Sequence, residues 1–563
     1  MASLAKKMIR GRPYYYLREC KRVNGKPKIV WQQYLGPASE LAERLAGPSP
    51  KGAVVLEFGA SAACLDIAQK LDVVGIIDRH VSKREKTGLT VGQYLLTAAL
   101  NRCLAPCSKA QIGAWFGQSV LPRLLQISAS QLSSQRFWDN MSRIDEQAIV
   151  AIERDLAQSA VTGFGLDLRC LLFDATNFFT FVDSFNLRSA MPQRGHSKEG
   201  RDNLRIVGLA LLVTSDGDVP LFHHSYAGNQ HDAKTFGGVI PEIAGRCRQL
   251  SHAIEDITVV FDKGNNSEDN LTLVKDGKLH FVGSLVPTHH PKLLAIDRRK
   301  MRRLDTAVLP SVWSYRTTKV VFGVKRTVLV TFNQPLFETQ MKTLRREINK
   351  RQCKLKQLAA ALEKSASRTT GKKPSLDGTN KRLAVILSGR HMKDLLPASI
   401  RDGKDGLPKL TWRFDNKAWK RLQKTLLGKT ILFTDREEWT DEQIVRGYRS
   451  QHHVESAFRS MKDTRCLTFR PMHHWTDQKL RVHALYCVIA LMILSLLRRK
   501  LAKVGIALSL ARMVERLADM REVAVSFHEK NAHAPRPRMV LSDLDPEQQQ
   551  IFDALDLTRF RLL

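Results

Sequence analysis

Apolar residues along this chain follow two kinds of spacing, and the switches between them divide it. Tyr14-Tyr15-Tyr16-Leu17 and Ile29-Val30-Trp31 are strand-like runs around Val23-Asn24-Gly25-Lys26, and Asn-Gly between such runs predicts a β-hairpin over about 13–34. Gly36-Pro37 ends it, and Gly47-Pro48-Ser49-Pro50 reads as a linker. From about 61 to 160 the spacing is helical. Leu65, Ala68 and Leu71 share one face, and Tyr94, Leu95, Ala98 and Ala99 share another, with Trp115, Phe116, Phe137 and Trp138 as candidate core.

Near 168 the pattern shifts to short continuous apolar runs. Five buried strands are predicted, at 170–173, 205–214, 219–226, 257–261 and 280–285. Ser215-Asp216-Gly217-Asp218 is a turn between the second and third. One helix starts at Asp232 and runs to about Cys247, and another starts near Ser267. The order β-β-β-α-β-α-β predicts one mixed five-stranded α/β layer. After Pro287 the regularity stops. Residues 310–333 and 380–437 read as β-rich, and 337–364 as one long helix. Phe337, Met341, Leu344, Ile348, Leu355, Leu358 and Leu362 follow a 4,3 spacing along it, broken at Arg351. A turn-rich exit follows at 371–379. Thr440 with Gln443 forms a capping box that opens a helix carrying Glu455. The apolar stretch 484–497 is shorter than the ~20 residues of a membrane span and reads as a buried helix. The expected organisation is a hairpin and linker (1–50), a helical domain (51–162), an α/β core (163–287 and 438–500), an inserted α+β subdomain (288–437) and a helical C-terminus (501–563).

Composition sharpens this. The 563 residues carry 89 Lys and Arg against 55 Asp and Glu, a net charge of +34. Such a length predicts several domains, and such a charge predicts a polyanionic partner, nucleic acid before others. Lys6, Lys7, Arg10 and Arg12 are not followed by an apolar run, so no secretory leader and no membrane partner are expected. Nine cysteines are scattered, and Cys103 and Cys107 have no second pair to make a zinc site. Reduced thiols in a cytoplasmic protein are expected.

The chemistry concentrates in three carboxylates. Asp174 ends the first core strand and Asp262 the fourth, so both emerge together if those strands are neighbours. At 3.6 residues per turn, Tyr448, Gln451, Glu455 and Lys462 share one helix face. Carboxylate oxygens suit Mg²⁺, and two such ions ~3.5–4 Å apart can clamp both oxygens of a phosphodiester displacement. Singly, an Asp at a strand end is an ordinary turn or cap residue. Three carboxylates on this strand order, in so basic a chain, point instead to metal-assisted phosphoryl transfer.

The run Tyr448-Arg449-Ser450-Gln451-His452-His453-Val454-Glu455, followed by Phe458-Arg459 and Lys462, resembles bacterial insertion-sequence transposases of the DDE class, in the branch with a Y-x2-R-x3-E-x6-K signature. The likeness continues through Leu172-Phe173-Asp174-Ala175-Thr176-Asn177, Ala227-Gly228-Asn229-Gln230-His231-Asp232, Phe261-Asp262-Lys263-Gly264 and Phe469-Arg470-Pro471-Met472-His473-His474-Trp475. The resemblance implies an RNase H-like core interrupted by an insertion. It implies that Asp174, Asp262 and Glu455 are catalytic and hold two Mg²⁺ or Mn²⁺ ions. It also implies that Tyr448 and Lys462 hold double-stranded element-end DNA, within a homodimer or larger synapse. Gln451 departs from the signature arginine, with Arg449 or Arg459 as replacements or a weakened enzyme as the alternative. A nuclease that cuts without joining, and a DNA-binding relative without catalysis, are the rival readings.

Residues 342–373 hold eleven Lys and Arg against two Glu. Lys350, Arg351 and Lys354 are candidate DNA contacts there, with a solvated face and a dimer contact as alternatives. Trp313, Trp412, Trp419 and Trp439 are core residues or a stacking partner for a flipped base. His289-His290 and His473-His474 lack the spacing of metal ligands and read as structural or DNA-backbone residues.

Overall fold

The computed structural model describes residues 2–23, 26–41, 50–81, 88–183, 185–251, 253–304, 307–366, 373–403, 407–465, 467–470, 472–527 and 538–562. The expected Asn24-Gly25 turn, most of the 47–50 linker and the start of the 371–379 exit lie outside them. Contacts divide the chain into a terminal unit, Met1–Ile152 with Ser460–Leu563, and a central unit, Glu153–Arg459.

In the terminal unit, β1 (Ala2–Ile9), β2 (Arg12–Val23) and β3 (Lys26–Pro37) form an antiparallel three-stranded sheet, where a two-stranded hairpin was expected. Arg10 and Gly11 join β1 to β2 with φ of 48° and 79°, the positive pair that a type I′ turn requires. β4 (Pro50–Glu57) then precedes the expected helices, among them Gly59–Lys70 and Val91–Leu104. Helix Asp477–Lys503 contains the apolar 484–497 stretch. By length and composition it could cross a membrane, yet its apolar residues are buried among the other helices of this unit.

In the central unit, β5 (Cys170–Phe179), β6 (Ile206–Thr214), β7 (Pro220–Ala227), β8 (Thr258–Val260) and β9 (His280–Leu285) are the five expected strands. β6 is buried along its whole length, which is why it reads as continuous rather than alternating apolar sequence. The sheet does not stop at five. β10 (Arg302–Leu304), β11 (Val312–Val321) and β12 (Val324–Asn333) join it, while β13 (Ala398–Asp402) and β14 (Pro408–Trp412) form a separate hairpin. With β15 (Lys429–Thr434) the order is β10-β11-β12-β15-β9-β8-β5-β6-β7. The five-stranded expectation is thus corrected to nine. β9 alone would leave an open edge, and β15 covers it with an antiparallel ladder from Leu285↔Ile431 to Val282↔Thr434.

One face of this sheet is an aromatic layer. Phe236, from helix Asp232–Leu250, lies 4.7 Å from Phe173 and 4.8 Å from Phe261. Phe281 and Phe433 continue the layer at 5.2 Å. A Cβ on Gly283 would meet the Phe433 ring at 2.8 Å, so glycine lets the ring cross the strand there. Each buried Phe contributes roughly 1.5–3 kcal/mol, so this layer fixes the sheet.

The long helix runs Gln334–Ala366. Its apolar stripe is covered by the chain itself: Ile348 and Leu355 pack with Leu383, Leu387, Met392 and Leu395. This accounts for the 4,3 spacing without a second copy. Residues 380–437 are mixed rather than β-rich, with helices Leu376–Ile386 and Asn416–Thr425 around the β13–β14 hairpin. The C-terminal stretch is likewise not wholly helical. β16 (Arg521–Phe527) pairs with both β4 and β17 (Arg538–Leu541) in a three-stranded sheet of the terminal unit.

Candidate active site

The register of the nine-stranded sheet places the two aspartates. β5 and β8 are parallel, with Leu172 opposite Val260. Two residues further on, Asp174 therefore stands beside Asp262, one strand spacing of ~4.8 Å away and on the same face. The backbone stays extended at Asp262 (φ −78°, ψ 161°), and Phe261 N–H donates to Val282 O at 3.3 Å, so the ladder reaches that level. Asp174 Oδ1 accepts the Ala175 N–H at 2.8 Å. Both aspartates are half-buried.

The same row continues across the sheet. Val260 pairs with Val282, which puts Ser284 beside Asp262. Ser284 pairs with Leu432, Leu432 with Leu329, and Leu329 with Arg316. A helix lies along this row and is pinned to it at both ends. At its start, Asp441 accepts hydrogen bonds from Ser314 Oγ (2.7 Å) and Arg316 (3.2 Å), and Arg316 also donates to the Trp439 and Glu437 carbonyls. At its end, the Tyr448 hydroxyl donates to Ser284 Oγ at 2.9 Å. Buried Ile444 and Val445 seat the helix. Its capping box is complete, with Thr440 and Gln443 bonded reciprocally.

One continuous helix from Thr440 to Lys462 was expected, and the structure corrects this. Helix Asp441–Arg449 ends, and His452–Lys462 begins a second. Ser450 Oγ donates to Gly447 O at 2.6 Å, the back-bonding that bends helices. A tight turn follows, with Gln451 N–H on Tyr448 O and His453 N–H on Ser450 O. The second helix is anchored by His453, whose Nδ1 contacts Asp218 in the β6–β7 turn.

Glu455 is exposed on this second helix, and Gln451 before it is buried. Burial first, and then the charges of Asp262 and Glu455, push the Tyr448 phenol pKa upward, against the opposing hydrogen bond to Ser284. Arg449 is half-buried and its pKa is lowered by burial. Arg459 is exposed, and the Lys462 carbonyl accepts Arg470 Nη2 at 2.9 Å. Among the described residues, no three Asp, Glu, His or Cys side chains converge closely enough to enclose one metal ion. The aspartate pair is in register, Glu455 stands on a separate helix, and the three do not form a closed cage.

Arg351, a candidate DNA contact, is held by partners within the fold. Its Nε and Nη2 donate to Ser388 O at 3.1 and 2.7 Å, and its Nη1 is paired with Glu347. It breaks the apolar stripe because it ties the long helix to the 388 turn. Lys350 and Lys354 are exposed. Trp412 and Trp419 pack on the insertion core, and Trp313 lies under Arg298 at 3.8 Å. Sequence reasoning missed three contributors. Ser284 was hidden because nothing marks a strand serine as a partner of Tyr448. Asp218 was read only as a turn residue. Lys198, whose Nζ donates to Ala175 O at 2.7 Å, places a cation one residue from Asp174 and carries no local signal.

Among solved structures, the chain is similar to a piggyBac transposase in a synaptic complex with hairpin DNA, determined by cryo-EM. Identity is 9% over 81% of this chain and 79% of that one, with a TM-score of 0.37. No curated protein matches the sequence. A family model described as a transposase DDE domain matches residues 169–493, which include Asp174, Asp262 and Glu455, and by this match the chain belongs to the DDE-domain transposase family.

Proposed function

We propose that the protein is the transposase of a bacterial insertion sequence, acting in the cytoplasm on the two ends of its own element. It nicks DNA at the ends and joins the freed 3′-hydroxyls to target DNA, using an RNase H-like core. The observation that carries this reading is the register of the adjacent parallel strands β5 and β8, which brings Asp174 and Asp262 to neighbouring positions on one face of the sheet. Family membership supports DNA cleavage and transfer as the reaction class.

The donor set fits hard divalent cations, since it consists of carboxylate oxygens on separate elements with partial solvent access. Two bound Mg²⁺ or Mn²⁺ ions would supply Lewis acidity at the phosphate and an acidified water. The side chains of the chain itself hold and orient. Asp174, Asp262 and Glu455 are the ligands. Tyr448, Arg449, Gln451, Arg459 and Lys462 surround the backbone of the cleaved strand. Lys350 and Lys354 attract flanking phosphates. No Ser, Cys or His nucleophile is needed. Handling two ends at once calls for a homodimer or larger assembly on double-stranded DNA.

The test is incubation of the full chain, with Mg²⁺, with a plasmid carrying the gene and its flanking DNA. Mapped cuts at inverted repeats together with joined products support the reading. Cuts without joining make it a nuclease. Binding without cuts makes it a catalytically silent relative.

A further inference from the structure

The sheet that places the aspartates does not end at β11. β10 pairs with β11 as Arg302↔Ser314, and Lys300, in the 3₁₀ turn just before β10, lines the same cleft as Arg316. Five of the six residues from 298 to 303 are cationic, broken only by buried Met301. Arg299, Lys300 and Arg302 are exposed and form no ion pair among the described residues. A three-residue edge strand needs one or two charges to block edge-to-edge pairing, so protection alone does not account for this density. Lys300, Arg302 and Arg303 line an open cleft of about 730 Å³ with Ser314, Arg316 and Thr440. The acids in that cleft are engaged: Asp441 by Ser314 and Arg316, and Glu442 by Arg446 at 3.6 Å.

We infer that this basic edge is a phosphate-backbone site for the same DNA duplex whose scissile phosphate lies at the Asp174–Asp262 pair. The inference rests on the function proposed above. Its partner is double-stranded DNA, chosen by charge: a repeating anion is the ligand that unpaired, evenly spread cations fit. The strand order gives the spacing. From β8 to β10 there are five strand steps, about 24 Å at ~4.8 Å each. Phosphates on one strand rise ~3.4 Å per base pair. The edge therefore meets the backbone about seven base pairs from the cleaved bond.

Two measurements test this on the full-length chain. The first is the salt dependence of binding to a random-sequence 40-base-pair duplex. Arg299→Gln, Lys300→Gln and Arg302→Gln together should lower the log–log slope by about 2 to 3, at ~0.9 per phosphate. An unchanged slope overturns the site. The second tethers an iron–EDTA cleaver at Arg302→Cys, with the exposed Cys20 and Cys353 replaced by serine. The probe is the plasmid carrying the gene and its flanking DNA. Cuts seen with the serine background alone are subtracted. Radical cuts centred about seven base pairs from the Mg²⁺-dependent cleavage site support the inference, and cuts absent or elsewhere overturn it. The two readings fail separately. A chain that cleaves DNA with an unchanged slope keeps the function and loses the site. One that shows the slope change but never cleaves keeps the site and loses the function.

Discussion

Each unit of the molecule concentrates ionisable side chains in one place, and the two concentrations are opposites. In the central unit, Asp174 and Asp262 are half-buried on neighbouring strands, and Glu455 is exposed on a separate helix. In the terminal unit, Arg102, Lys109, His474, His483 and Tyr486 are all buried. Arg102 donates to the carbonyls of Arg470 (3.0 Å) and Cys107 (2.7 Å), and Lys109 Nζ lies 3.2 Å from the Tyr486 hydroxyl. His474 bonds His483, whose other nitrogen bonds Phe469 O. Burial pushes the Lys109 pKa down to about 7, lowers both histidines well below their usual range, and raises the tyrosine. The strongest perturbations thus sit where no substrate reaches. A displaced pKa marks desolvation first and function only when access comes with it. The buried cluster specifies a fold, while the open one is suited to chemistry.

That contrast can be broken at each end. The largest effect is expected from Asp262→Asn, which removes a ligand charge and keeps the shape. DNA cleavage should fall at least ~10³-fold, while the melting temperature stays within about 2 °C. A large drop in melting temperature would turn the aspartate into a structural residue. Arg102→Leu should do the reverse. It strands buried carbonyls and should cost roughly 3 kcal/mol in a denaturant titration, at ~1 kcal/mol or more per lost bond. Next comes Lys109→Met, read as melting temperature against pH. The folded-state pKa of Lys109 is depressed, so its charged form burdens the native state below pH 7. That burden fades as pH rises from 7 toward the unfolded value near ~10.4. The substitution should therefore raise stability most at pH 6–7, with the gain shrinking toward pH 10. A gain that grows with pH would contradict the assignment. The smallest effect is expected at Tyr448→Phe, which deletes the bond to Ser284. It should slow cleavage about 5- to 10-fold, the weight of one hydrogen bond.

Much of the site was legible because its signals are local. An apolar run ending in Asp marks a buried strand, and Asp262 follows one; Asp174 was expected to end its strand but lies within β5, which continues to Phe179. Thr440 and Gln443 announce a helix start by chemistry alone. The rest depends on distant partners. Lys429–Thr434 carries no mark that it pairs with β9, so the five-stranded layer could not be seen to extend to nine. Arg351 looks like a solvated cation because the accepting carbonyl of Ser388 is 37 residues away. The bend before Glu455 comes from one serine bonding backward, and helix propensity does not register it. β1 was missed because Arg10-Gly11 is a rarer form of the positive-φ turn that Asn-Gly advertises.

The central claim is that Asp174, Asp262 and Glu455 serve one metal centre although they lie on three elements. Iron(II) substituted for Mg²⁺, with ascorbate and peroxide, releases radicals that cut the polypeptide next to the bound ion. The account predicts backbone cuts clustered near residues 174, 262 and 455, suppressed by excess Mg²⁺ and lost together in Asp174→Asn. Cuts confined to one of these segments, or unaffected by Asp174→Asn, would contradict a shared centre.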